Sequence, residues 1–238
     1  MSSLPRVLEA RVRNRVVIGY AVASDQVRPL LPDGLVPVER EGRAYVSLVG
    51  VELTNVRLFG LVGLGFRRVP VVELRVHVRR EEASPDKVGT WTVRAHVPRR
   101  LVAWGGRFLY REPVEVTSMQ PVRREQSESV EVTYRFDWRG REQRIRVRGQ
   151  RPPVAPVPDT LVPFLLRPNW RFRTTRSGAL LRTRIDRPSA PILPGQEHHV
   201  TVQWSVYGEF GALLADRSPV SVLLSPGRPV TVRWRERI

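Results

Sequence analysis

The residues best suited to chemistry in this sequence lie within Pro-Val-Val-Glu-Leu-Arg-Val-His-Val-Arg-Arg, positions 70–80. Side chains of an extended strand point alternately to opposite faces, so Val72, Leu74, Val76 and Val78 share one face and Glu73, Arg75, His77 and Arg79 the other. A carboxylate among cations can take a proton from a substrate, or serve as counter-ion while guanidinium groups clamp an anion. The run from Val88 to Val97 splits the same way, with Trp91, Val93, Ala95 and Val97 against Thr90, Thr92, Arg94 and His96. The polar segment 81–87 between the two runs predicts an antiparallel hairpin. If both polar faces point the same way, paired residue numbers sum to an odd value, which sets Glu73 opposite Arg94 or His96. Glu73 with those two cations is therefore the expected floor of a site.

Other chemistries find little support. Cysteine is absent, which excludes a disulfide framework, a thiolate zinc site and a cysteine nucleophile. The four histidines, at 77, 96, 198 and 199, lack the HExxH spacing of a zinc site, and His198-His199 reads as a solvent-facing pair at a strand start, so no metal is expected. Gly60, Gly63 and Gly65 match neither GxGxxG nor a phosphate loop with its Lys-Ser/Thr pair; segment 54–69 reads as an apolar flap over one barrel end. No cofactor is implied.

The formal net charge of +17 invites a nucleic-acid or anionic-membrane reading. Lys87 is the only lysine, however, and the arginines are interleaved with glutamates along the whole chain. A solvated basic surface explains that pattern, and no nucleic-acid partner is expected. Arg6, Arg11, Arg13 and Arg15 followed by Val16–Ala23 have the outline of a secretory leader, but Tyr20 interrupts a run that is barely long enough. A first strand is the expected reading, and a cytoplasmic location with it. Leu58–Phe66 is too short and too rich in glycine to cross a bilayer.

At 238 residues and 41% hydrophobic content the chain can bury a sizeable core as one domain, 1–238. Strands are expected at Val16–Val22, Arg43–Leu53, 70–80, 88–97 and Phe108–Met119. A hairpin of Val130–Trp138 and Glu142–Arg148 follows, turning at Arg139-Gly140-Arg141. Its rings share a face with valines, so they belong to a core and not to a base-stacking platform. After an irregular proline-rich connection, 150–158, strands are expected at Trp170–Thr175, Leu180–Ile185, His199–Tyr207, Val220–Leu224 and Val230–Arg235. Three short helices complete the set: Val27–Leu31 capped by Asp25, Pro98–Trp104 closed by Gly105-Gly106, and Thr160–Leu166 capped by Asp159. The fold class is mainly β, a closed barrel of about eleven strands with three short helices.

The order of landmarks resembles the acetoacetate decarboxylase superfamily, and within it a related bacterial family known only as a conserved domain of unknown function. Asn14-Arg15 before an apolar strand, Ala23-Ser-Asp25, and Leu30-Leu-Pro-Asp-Gly-Leu35 are similar to the family's opening strand, short helix and proline turn. Arg167-Pro-Asn-Trp170 resembles the start of its C-terminal half. The resemblance implies an acetoacetate decarboxylase-like barrel or cone, with Arg15 and Glu73 at the positions of an active-site arginine and glutamate. It also implies a lysine pair after a proline, a few residues beyond a Gly-Arg. Here Gly106-Arg107 leads to Pro113-Val114-Glu115, so valine and glutamate stand where lysines would. Neither forms an imine, and Lys87, beside Asp86 in the hairpin loop, is expected to stay solvated. The catalysis of the parent enzyme is denied by these residues.

What remains is a candidate catalytic pair, Glu73 and Arg15, with Arg94, His96, Arg107, Tyr110 and Glu115 as candidate ligand-binding residues. The expected function is a barrel that binds a small anionic molecule, an organic acid, through arginines. One alternative is an enzyme using Glu73 in non-covalent acid–base chemistry on a keto acid. Another is binding of nucleic acid or a membrane surface through arginines, and a self-satisfied buried Glu–Arg network is the structural alternative. The resemblance also implies a homo-oligomer.

Overall fold

The computed structural model describes residues 4–62, 67–82, 87–110, 113–166, 168–175 and 177–238. Its first half contains β1 (Arg6–Ala23), β2 (Leu35–Pro37), β3 (Glu39–Arg40), β4 (Arg43–Leu58), β5 (Leu61–Val62), β6 (Arg68–Arg80), β7 (Gly89–Val97) and β8 (Val114–Val116). The second half contains β9 (Met119–Glu125), β10 (Ser129–Trp138), β11 (Arg141–Gln150), β12 (Trp170–Thr174), β13 (Leu180–Asp186), β14 (Leu193–Thr201), β15 (Ser221–Arg233) and β16 (Glu236–Arg237). Four α-helices, α1 (Ser24–Val27), α2 (Arg100–Tyr110), α3 (Leu161–Leu166) and α4 (Glu209–Leu214), and two 3₁₀ turns, Arg28–Leu30 and Trp204–Tyr207, join them. The chain is mainly β, as its alternating sequence predicts.

The pairings return on themselves. β1, β4, β6, β7, β12, β13 and β15 form a ring of seven strands, closed where Ile185 of β13 pairs Val232 of β15. All contacts in the ring are antiparallel except β7 with β12. Beyond β15 the sheet continues through β14, β11, β10 and β9, and this extension packs on the outside of the ring. The main core lies between the two layers. Ile18, Tyr20, Val46, Leu48, Leu74 and Val76 meet Val132, Tyr134, Phe136, Ile145 and Val147 there. Gly50 admits the Tyr134 ring, since a Cβ on it would stand 2.6 Å from the ring carbons. The inside of the ring is filled at one end by α3, whose Leu165 and Leu166 pack on Val17, Tyr45, Val49 and Leu223. Helix α2 lies over the other end against Val114, Ala95 and Val97. Both faces of β6 are thus buried, and its charged face points into the ring.

Several elements depart from their sequence-based expectations. β1 begins at Arg6, so the basic stretch expected to precede the first strand is strand itself. Its apolar members Val7 and Ala10 are buried while Arg6, Arg11 and Arg13 reach solvent. α2 runs through Gly105-Gly106 to Tyr110, which displaces the strand expected from Phe108. There the glycine serves close approach, since a Cβ on Gly106 would meet Val114 at 3.0 Å. The strand expected at His199–Tyr207 ends at Thr201 and gives way to a 3₁₀ turn and α4, because Trp204 and Tyr207, three apart, turn inward onto Tyr20 and His96. Val220–Leu224 and Val230–Arg235 belong to one continuous strand, β15. Asp25 lies in the first turn of α1, where its carboxylate accepts the Gln26 N–H at 2.9 Å; Ala23 holds the cap position. Asp159 lies outside α3 with a φ of 57° and makes no cap. Parts of the expected flap (63–66), of the hairpin loop (83–86) and Arg167 fall outside the described residues.

Candidate functional site

Two β-bulges decide which side chains enter the ring. In β1 the pairing with β4 slips between Arg13 and Val16, where Asn14 takes the left-handed conformation at φ 50°. A bulge adds one residue and so reverses which alternate residues face inward. Leu8, Ala10 and Val12 point into the ring before it; Arg15 and Val17 do so after it. Asn14 is held there by its side chain, which donates to Glu52 at 2.8 Å and accepts from Arg123 at 2.9 Å. Asparagine tolerates this backbone region better than most residues.

The second bulge lies in β7, where Val93 is the extra residue between Thr92, opposite Arg75, and Arg94, opposite Leu74. It overturns the expected register. Glu73 faces Ala95, and neither Arg94 nor His96 shares its side of the sheet. His96 lies in the outer core, with its ring centroid 5.1 Å from Phe136, 5.5 Å from Trp138 and 5.8 Å from Tyr207, and its Nδ1 3.2 Å from the Thr117 hydroxyl. Burial, and then Arg94, pushes His96 down to about 4. Arg94 lies over the Trp138 ring and pairs with Glu115 at 3.3 Å. Glu115, opposite His96 in the parallel pair of β7 with β8, is on the outer side as well, whereas Val114 faces inward. Arg107 is exposed and donates two hydrogen bonds to the Val114 carbonyl. Tyr110 ends α2, and its side chain lies outside the described residues.

Inside the ring is a cavity of about 310 Å³. Its polarity changes along the strands. On β6 the inward residues run Arg75, Glu73, Val71, Val69; on β1, Arg15 and then Val12 and Leu8; on β15, Arg228, Val230, Val232; on the β13 side, Arg187 and then Ile185. Antiparallel pairing brings the charged members to the same end, which is the end floored by α3. Apart from Thr183 of β13 the walls are otherwise apolar, and Leu101 and Trp104 of α2, 56% and 63% exposed, stand at the open end.

At the floor, Arg171 reaches from β12 and places Nη2 3.0 Å from both oxygens of Glu73. Arg75 Nη1 lies 3.6 Å from the same carboxylate, and the Thr92 hydroxyl donates to it at 3.4 Å. Arg75 also donates to the Leu165 carbonyl at the end of α3, at 3.2 Å, Arg228 to the Pro188 carbonyl at 3.0 Å, and Arg187 to the Pro168 carbonyl. Arg15 is 2% exposed, and its Nη2 is buried with no hydrogen-bond partner, as are Nε of Arg75 and of Arg187 and Nη2 of Arg228. Burial, followed by the charges of Arg187, Arg75 and Arg228, holds Arg15 well below the ordinary arginine range, with Glu73 acting in the opposite sense. Burial lowers Arg75 to about 10, Glu73 opposing and Arg171 adding to the fall. Among the described residues the cavity therefore presents five guanidinium groups and one carboxylate.

Of the residues singled out from sequence, the structure brings Arg15 and Glu73 together, with Val114 on the cavity wall. Arg75, Arg171, Arg187 and Arg228 were not singled out. Arg75 could have been, standing two residues from Glu73 on one strand face; the other three had no signal in a chain where arginine is everywhere. Lys87 is exposed just before β7, eight residues along the strand from Ala95, or about 25 Å at the rise of extended chain. No lysine lines the cavity. His77 is also inside the ring but under α3, where Nε2 meets the Ser47 hydroxyl at 2.9 Å and the ring stacks on Phe164. Among the described residues no cluster of three or more histidines, aspartates or glutamates could hold a metal, and no helix is long and apolar enough to cross a membrane.

Comparison with solved structures shows that this ring of strands has the fold of acetoacetate decarboxylase-like proteins. The acetoacetate decarboxylase of Legionella pneumophila aligns over 100% of this chain and 90% of its own, with a TM-score of 0.70 at 13% identity. An acetoacetate decarboxylase-like enzyme from Sphingomonas wittichii RW1 aligns over 99% and 94%, with a TM-score of 0.69 at 12% identity. The enduracididine biosynthesis enzyme MppR, in complex with pyruvate, aligns over 100% and 91%, with a TM-score of 0.68 at 16% identity. By sequence the chain belongs to the DUF2071 family, described as an uncharacterized conserved protein, whose model matches residues 9–229. No curated protein matches it significantly.

Proposed function

We propose that this protein binds a small organic carboxylate in the cavity, and that it does so without forming an imine. The observation that carries the reading is the ratio of five guanidinium groups to one carboxylate at a buried floor. Buried charge is tolerated when it is compensated, and each uncompensated ion costs several kcal/mol. Glu73 offsets one of the five. An anion bound against Arg15, Arg75 and Arg228 would offset more, and would accept hydrogen bonds from nitrogens that have none within the protein. The same fold holds pyruvate, itself a small carboxylate, in MppR. Imine chemistry needs an amine in the cavity, and the wall position in question is Val114.

Calorimetric titration of the purified protein with a panel of carboxylates and their uncharged amides tests this. Saturable one-to-one binding of acids but not amides, weakened about ten- to hundredfold in Arg15→Gln, is expected; equal affinity for acid and amide would overturn it.

Acid–base chemistry at Glu73 is the second reading, favoured by the one observation that this carboxylate faces the cavity. With both oxygens on Arg171, Glu73 is better placed as a counter-ion than as a proton acceptor.

A further inference from the structure

The distribution of polarity along the cavity points further. We infer that the ligand is an amphipathic monocarboxylic acid with a saturated, unbranched chain of about eight carbons, its head on the arginine floor and its chain along the strand walls. This rests on the anion-binding reading and narrows it to a substrate class.

The argument begins with the strands. On β1, β6 and β15 every inward residue that lines the cavity on the α2 side of the charged layer is aliphatic. Val12, Val71, Val230 and Val232 offer no hydrogen bond to a hydroxyl or keto group. A short, polar acid seated on the floor would leave these walls without contact, and hydroxyl groups farther along a chain would be buried unpaired, which is costly. A methylene chain is the complement of such walls.

Volume sets the length. A cavity of about 310 Å³ holds the equivalent of about ten water-sized groups at roughly 30 Å³ each. A carboxylate with a seven-carbon tail has that many heavy atoms. Leu101 and Trp104 at the open end, both half or more exposed, extend the apolar lining to the surface and give such a chain its way in.

The experiment is a titration of the full chain, by calorimetry at neutral pH, with acetate, butanoate, hexanoate, octanoate, decanoate and 1-octanol. Burial of one methylene is worth a factor of about four in affinity. The dissociation constant is expected to fall about fourfold per added carbon up to about eight and then to level off, with 1-octanol at least tenfold weaker than octanoate. In Val232→Phe, near the mouth, and independently in Val71→Phe, the plateau moves to shorter chains. Affinity that is flat from acetate to octanoate would overturn the inference and leave anion binding standing. Octanol as tight as octanoate, or no binding of any acid, would overturn both.

Discussion

Arg171 Nη2 lies 3.0 Å from each oxygen of Glu73, a contact that reaches from β12 past β7 to β6 and joins residues 98 apart in sequence. It fixes the only negative charge on the cavity floor among the described residues. Arg15, Arg75, Arg187 and Arg228 are left facing each other across a buried space. Function and stability are opposed in such a layer, because the repulsion that recruits an anion also strains the empty fold.

Glu73→Gln removes the counter-ion and leaves five guanidinium groups. Breaking a buried pair costs about 3–5 kcal/mol, which lowers the melting temperature of a chain of this size by roughly 10 °C. The counter-ion role predicts that the variant binds carboxylates at least as tightly as the wild type, since one negative charge has gone. A variant that binds acids normally but loses a measured turnover would instead support proton transfer by Glu73.

Arg15→Gln acts in the opposite sense. It relieves the burial of a charged guanidinium and, with it, the repulsion from Arg187, Arg75 and Arg228, which together depress the arginine, so the ligand-free protein is expected to melt several degrees higher. It also removes a charge-assisted donor worth about 1.5–3 kcal/mol, which corresponds to a ten- to hundredfold weaker carboxylate complex. Differential scanning calorimetry with and without ligand reads both effects on one sample.

Val114→Lys tests the wall position directly. Wild-type protein incubated with a keto acid and borohydride is expected to give no adduct in the cavity, which no lysine lines. The variant places an amine beside the arginine layer, where neighbouring cations favour the neutral, nucleophilic form. Its expected signature is a reduced adduct at residue 114, found by peptide mass spectrometry.

His96 makes a pH prediction. Its folded value of about 4 is below the unfolded 6.5, so the unfolded chain binds more protons between these values and stability rises with pH across them. The contribution is complete above about pH 6.5 and is lost as pH falls toward 4, a change of about 3 kcal/mol at most. His77, depressed by burial and by Arg75, adds to the same slope. Urea midpoints measured from pH 7.5 to 4 are expected to fall in the wild type and to fall less steeply in His96→Phe.

Strand alternation made much of the fold and the polar face of Glu73 legible in sequence, whereas Arg15 came only from the family resemblance, since the bulge at Asn14 hides its inward face from alternation. The faces of Arg94 and His96 were not legible, because alternation counts residues and Val93 adds one without any change of residue type. The arginine floor was hidden for another reason. Arg171 of β12, Arg187 just after β13 and Arg228 of β15 are distant in sequence from Glu73 and are gathered by ring closure through β13 and β15, while arginine elsewhere decorates the surface. The helix expected at Pro98–Trp104 is present, but its continuation through Gly105-Gly106 to Tyr110 was not legible, because close approach to Val114 and helix termination call for the same residue.

Asn14 carries the last prediction, because it sets the inward face of β1. Its left-handed backbone and its two side-chain hydrogen bonds hold the extra residue that turns Arg15 into the ring. Asn14→Gly keeps the backbone at little cost and loses the bonds to Glu52 and Arg123, for an expected loss of about 1–2 kcal/mol with carboxylate affinity retained. Deleting Asn14 removes the bulge. With the extra residue gone, alternation runs Val12 in, Arg13 out, Arg15 in, so Arg15 keeps its place in the ring opposite β4 and carboxylate binding is expected to survive in a variant that folds. If the deletion variant folds and no longer binds carboxylates, the bulge itself, and not the alternation around it, places Arg15 on the floor.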